Sequence, residues 1–141
     1  MKIEKGFTLM ELTIVLAILA IIAAILIPAF LMTTDRSRLR GDIQSARVIQ
    51  NAMDLYRVER GRSAIQNEDN MEVVVDRLVI AGYIDPRSTM IQTEDAVWIF
   101  NGESVQVDIS NSPEGVHRAW TSLSDEESVF VTGGRVLLGG E

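Results

Sequence analysis

Between Leu12 and Thr34 the chain runs for 23 residues without a charged side chain. Glu11 is the only charge between Gly6 and Phe30, a stretch that reads GFTLMELTIVLAILAIIAAILIPAF. As a helix the uncharged run measures about 34 Å at roughly 1.5 Å per residue, enough to cross a hydrocarbon core. The core of a soluble domain is a poor home for such a helix. A chain of 141 residues holds too little material to surround it on every side.

The periodicity changes at Asp35. Leu39, Ile43, Ala46, Ile49, Met53 and Tyr56 recur every three or four residues, so residues 35–62 continue the helix as an amphipathic stem with one face for a head domain. Gly61 is the expected stop. In the head, residues 63–141, Asp69 with Glu72 three positions on reads as a capping box that opens a short helix over 71–81, before Gly82 and Pro86. Ala96–Phe100 is continuously apolar and reads as a strand covered on both faces. Asn101-Gly102 is a hairpin signal, and Ser104–Ser110 alternates, with Val105, Val107 and Ile109 on one side. Val116–Thr121 is ambiguous between strand and loop. Ser128–Thr132, Gly133-Gly134 and Arg135–Leu138 read as a second hairpin. The expected fold class is therefore α+β: a long N-terminal helix, half transmembrane and half amphipathic, packed on a small antiparallel sheet like a lollipop.

Charge is unevenly placed. Residues 35–62 carry seven Arg against four acids, whereas residues 63–141 carry four Arg against fourteen acids. An acidic head disfavours nucleic acid as a partner, because like charges repel at the phosphate backbone. Arg36, Arg38 and Arg40 follow the apolar run closely. They read as a solvated collar near lipid headgroups, with pairing to head acids of another subunit as the alternative. Catalytic chemistry is thin. His117 is the only histidine and cysteine is absent. A His117 pair with Ser112 or Ser122 would need an orienting acid and an oxyanion hole that the spacing does not supply, so His117 reads as structural and the chain as no enzyme. Trp98, Phe100 and Trp120 read as core. Asp125-Glu126-Glu127 reads as a solvated acidic turn, and the twelve-residue calcium-loop pattern is absent.

The N-terminal residues Gly6, Phe7, Thr8, Leu9, Glu11, Ala17, Ala23, Ala24, Pro28 and Ala29 together resemble the N-terminus of type IV prepilins and pseudopilins. The strong match covers about 30 residues and a weaker one reaches residue 62, through Asp42-Ile43, Ala52-Met53-Asp54-Leu55-Tyr56 and Gly61. Arg62-Ser63 stands where Tyr-Pro follows this Gly in many members, Ala20 stands where many carry Gly, and the C-terminal disulfide of many Gram-negative pilins has no cysteines here. The resemblance implies that residues 1–6 are a leader. A prepilin peptidase cuts it between Gly6 and Phe7 on the cytoplasmic side and methylates the Phe7 amine. It implies that residues 7–34 are the transmembrane and polymerisation helix, N-terminus inside, and that Phe7, Glu11 and Pro28 serve assembly.

Glu11 has two readings: a first-turn acid stabilised by the helix dipole, or a carboxylate that neutralises the Phe7 ammonium of a neighbouring subunit. The motif favours the second. Pro28 lacks an N–H and predicts a bend. The implied partners are copies of the chain in a helical filament, the peptidase, a platform protein, an assembly ATPase and, before assembly, the inner or cytoplasmic membrane. The implied product is an extracellular or periplasmic filament. The function expected first is that of a structural subunit of a type IV pilus-like filament. A pseudopilin of a type II secretion system, and a minor pilin acting as tip adhesin or in DNA uptake, are the alternatives. No cofactor is implied except calcium, which major pseudopilins bind in the general region of Asp125, Glu126 and Glu127.

Overall fold

The structure, a computed structural model, describes residues 7–66 and 69–135. The leader and Arg135–Leu138 beyond its first residue lie outside them. One helix, α1 (Leu9–Arg60), runs unbroken through Pro28 and carries everything else. Its first residues cap it: the Thr8 hydroxyl accepts the Glu11 backbone N–H, and the Glu11 carboxylate accepts the Thr8 backbone N–H. At the far end Gly61, with φ of +94°, donates its N–H to the Arg57 carbonyl and ends the helix.

Burial divides α1 in two. Every residue from Leu9 to Thr33 is exposed, and the first buried side chain is Leu39. From there Leu39, Asp42, Ile43, Ala46, Ile49, Ala52 and Met53 go under the head. The upper half of the core joins Ala46, Ile49 and Met53 to Ile65, Ile84, Val105 and α2 (Met71–Ile80), which contributes Val74 and Leu78. The lower half joins Leu39 and Ile43 to Val107, Ile109, Val131 and α3 (Glu114–Trp120), which contributes Val116 and Ala119. The N-cap of α2 is Asn70, whose side chain accepts the Val73 N–H. Asp69 instead accepts the Gln66 N–H and pairs with Arg77.

Among the described residues the sheet has three strands in the order β1 (Val97–Phe100), β2 (Val105–Asp108) and β3 (Val131–Thr132). β1 and β2 form the expected hairpin, with Phe100 opposite Val105. The Asn101 carboxamide oxygen closes its four-residue loop by accepting the Glu103 and Ser104 N–H groups. β3, by contrast, pairs with β2 in parallel, so the sheet is mixed rather than wholly antiparallel. The cause lies in residues 113–128. The stretch left open between strand and loop folds as α3, and the acidic turn folds as α4 (Asp125–Ser128). Together they carry the chain across to return in the same direction as β2, the crossover that a parallel pair requires. Gly133-Gly134 makes no hairpin among the described residues. A Cβ at Gly134 would overlap the Trp120 indole, so the chain crosses that ring only as glycine. Nor is β1 covered on both faces: Val97 is 52% exposed and Trp98, Ile99 and Phe100 are half-buried.

Of the buried polar residues Asp42, Thr93, Ser112 and His117, one lies on the stem. Asp42 is fully buried, and its two carboxylate oxygens accept the Gln92 and Thr93 backbone N–H groups at 2.9 and 2.8 Å. The segment so held is also tied by the Trp98 indole N–H to the Thr89 carbonyl and by the Ser112 hydroxyl to the Glu94 carbonyl. Replacing Asp42 by Ala strands two backbone donors and costs about 2–3 kcal/mol. Asp42→Asn keeps one acceptor and costs less. Thermal unfolding of the detergent-solubilised chain measures both, and equal stability of the Ala variant would remove Asp42 from the architecture.

Candidate functional site

The N-terminal end of α1 presents Phe7 with its side chain 86% exposed, and Leu9 and Met10 follow it into the open. The spacing Thr8-x-x-Glu11 is that of a capping box, which takes Glu or Gln at the third helical position, and here it is an acid. Both the Thr8 N–H, at 2.9 Å, and the Thr8 hydroxyl, at 2.8 Å, reach the same oxygen of Glu11, Oε2. Its other oxygen, Oε1, accepts nothing among the described residues. Within one chain Glu11 is thus a first-turn acid on a positive helix end, with one oxygen to spare for an outside donor. Gly6 lies outside the described residues. Downstream, Thr13 returns its hydroxyl to the Met10 carbonyl, so no polar side chain of the first turns seeks the head.

The arginine collar is exposed, and two of its members also reach the head of their own chain. Arg40 forks onto Glu127, with Nε to Oε1 at 3.1 Å and Nη2 to Oε2 at 3.4 Å, and Arg36 donates to the Ser122 carbonyl at 3.3 Å. Both therefore clasp the α3–α4 segment of their own chain while remaining exposed, as Arg38 is. Long side chains that start one turn apart on a helix reach the same neighbouring segment. α3 lies close against α1 here: a Cβ at Gly115 would meet the end of the Asp35 side chain, which would have to turn aside.

Asp125, Glu126 and Glu127 are consecutive in the first turn of α4, so their side chains leave the helix about 100° apart. Glu127 is taken by Arg40 and by the Ser124 cap. That geometry does not gather the three on one ion, and no three His, Cys, Asp or Glu side chains converge on a metal position among the described residues. His117 is buried and its Nδ1 accepts the Arg135 N–H at 3.3 Å. The Ser112 and Ser122 hydroxyls go to the carbonyls of Glu94 and Ala119, not to His117. Trp98, Phe100 and Trp120 are half-buried against the core. Two residues escape a reading by pattern. Asp42 is signalled only as an acid set among the buried positions of the stem. Arg47, which stacks on Phe130, has no signal at all.

Comparisons with known proteins follow the same geography. A family model described as the prokaryotic N-terminal methylation motif matches residues 1–27. Prepilin peptidase-dependent protein A of Clostridium perfringens is 31% identical over 111 residues, 77% of this chain and 79% of that protein. Type II secretion system core protein G of Klebsiella pneumoniae is 25% identical over 125 residues, 82% of this chain and 89% of the relative. The protein of that name from Aeromonas hydrophila is 26% identical over 85 residues, covering 60% and 57%. No solved structure matches the chain.

The collar clasp is sensitive to acid. The Ser124 backbone N–H holds the Glu127 carboxyl below the ordinary carboxylate value; desolvation opposes this and the Arg40 guanidinium adds to it. A carboxyl depressed on folding contributes stability above its unfolded value and loses it as pH falls through the folded value. The contact between residue 40 and α4 is therefore expected to hold at neutral pH and to open below the ordinary carboxylate range. Glu127→Gln is expected to abolish that acid-side step, read by amide exchange at residues 124–128 across pH. A step of unchanged size in the variant would assign it elsewhere.

Proposed function

The chain belongs to the family of type IV pilins and pseudopilins, and from that premise we propose how its parts divide the work of building a filament. It is a structural filament subunit, not an enzyme. The observation that carries the proposal is the division of α1: a half of 25 exposed residues, Leu9 to Thr33, joined without a break to a half that is locked into a folded head. An exposed apolar helix of that length is stable in lipid, or among copies of itself, and not in water. Each subunit is thus held in the membrane first and in the filament afterwards.

Cleavage between Gly6 and Phe7 releases the helix and creates the amine that is methylated at Phe7. In the membrane the N-terminus lies on the cytoplasmic side and the head outside. The free Oε1 of Glu11 meets the Phe7 ammonium of a neighbouring copy, and the pairing sets axial register as each subunit enters. Pro28 gives the helix a place to bend or loosen when it leaves the bilayer. A platform protein and an assembly ATPase provide the lift. A surface filament of the pilus kind is the first reading. The second, a type II secretion pseudopilus, is favoured by the two relatives named as core protein G.

Two measurements test this. Shearing intact cells and weighing the chain in the released fraction is expected to give a species that begins at methylated Phe7. The same species confined to the envelope selects the pseudopilus. A chain that retains Met1–Gly6 in cells with an active peptidase removes the processing step. Glu11→Ala is expected to be cleaved normally while assembled material falls by about tenfold, the ratio that about 1.4 kcal/mol of lost pairing produces. Normal assembly of that variant takes Glu11 out of the mechanism.

A further inference from the structure

Two arginines of the stem stand over aromatic rings of the head. Arg57 lies 5.9 Å from the Phe100 centroid and donates to the Gly102 carbonyl at 2.8 Å. Arg47 lies 5.3 Å from the Phe130 centroid, but its buried Nε finds no acceptor, and it enters no ion pair among the described residues. A buried guanidinium N–H without an acceptor is costly, and the planar fork of donors on arginine matches a carboxylate. Beside it opens a pocket of about 420 Å³, lined by Arg47, Gln50, Asn51, Glu126, Val129 and Phe130.

We propose that this pocket binds a carboxylate side chain from the head of a second copy of the chain. The proposal rests on the filament reading and adds to it a contact outside the membrane helix. Three observations favour a copy as the occupant. Arg47 borders the face of α1 that the head leaves bare. At about 100° per residue, Phe30, Ser37, Gln44, Val48 and Leu55 share that face, all of them exposed and opposite the buried stripe, and no charged residue interrupts it from Phe30 to Leu55. This face extends the exposed apolar segment beyond the membrane, with Val48 and Leu55 exposed along it. A copy that packs on the apolar half and continues along this face carries its head past Arg47. Finally, that head is acidic, with fourteen acids against four Arg in residues 63–141. Glu126 lines the pocket yet makes no ion pair with Arg47, so its charge opposes the incoming carboxylate rather than filling the role.

The sequence makes a direct test possible. Lys2 and Lys5 are its only lysines, and both lie before Phe7. In the processed chain, Arg47→Lys therefore introduces the sole lysine. Carbodiimide, applied to envelopes or filaments that contain this full-length variant, joins an amine and a carboxylate in contact as an amide with net loss of water. The expected product is a covalent dimer whose digest links position 47 to an Asp or Glu within residues 63–141 of the second copy. Arg47→Gln is expected to lose that dimer and to lower assembled material severalfold, while Glu126→Gln leaves assembly at or above the parent level.

An amide formed only within one chain, to Glu126 or another acid, overturns the proposal, and so does the absence of any product at position 47. Equal losses from Arg47→Gln and Glu126→Gln would also overturn it, by making the two an internal pair. Failure of the filament reading shows separately and earlier. Before any reagent is added, the parent chain would retain Lys2 and Lys5 or would fractionate as a monomer, and the pocket would then lose its occupant.

Discussion

The whole molecule depends on a helix that must satisfy two surroundings at once. Twenty-five consecutive exposed residues of α1, from Leu9 to Thr33, receive no cover from the rest of the described residues. The head does not bend down to shield them, and its sheet is too small to do so. Everything above Thr34 is then arranged to hold the other half of the same rod: two core clusters grip it from Leu39 to Met53, Asp42 pins the 92–93 backbone to it, and Arg36 and Arg40 reach from it to the α3–α4 segment. Hydrophobic burial sets the strength of that grip, and the polar ties set its register, since Asp42 accepts two particular N–H groups and no others.

Much of this was legible in the residues alone. A period of three to four from Leu39 to Met53 marks the buried stripe because an α-helix repeats every 3.6 residues, and the same positions go under the head. The Asn101-Gly102 hairpin was legible because its turn chemistry is local. The third strand was not. Val131–Thr132 offers two residues, and its direction is decided by a crossover whose helices are short and weakly patterned, so no local signal distinguishes a parallel return from a hairpin. The two-sided cover expected of Ala96–Phe100 failed because an apolar run reports tolerance of burial, while what packs on each face decides whether burial occurs: Trp98 and Phe100 meet the core and Val97 stays exposed.

At the candidate site the split is similar. Thr8 and Glu11 declare themselves by spacing, and the geometry adds that Glu11 spends one oxygen inside its own chain and keeps the other. The arginine collar reads as solvated when only sequence separation is considered. Its partners lie more than eighty residues away, at Ser122 and Glu127, and only the closure of the fold brings them within reach. Arg47 was invisible for the same reason, since Phe130 becomes its neighbour only when β3 returns beside β2.

The unbroken run of α1 from its exposed apolar half into the head has a mechanical meaning. A subunit drawn along the axis of that helix receives the pull through backbone hydrogen bonds that lie nearly parallel to it. The load arrives at the head as shear spread over Leu39, Ile43, Ala46, Ile49 and Met53 together. Contacts loaded in parallel must give way as a set, whereas those of a hairpin peeled from one end give way singly. The head is thus mounted like a sleeve on a shaft: traction at one end moves the folded domain as a unit, taken up first at the Arg36–Ser122 tie and then by the core from Leu39 onward.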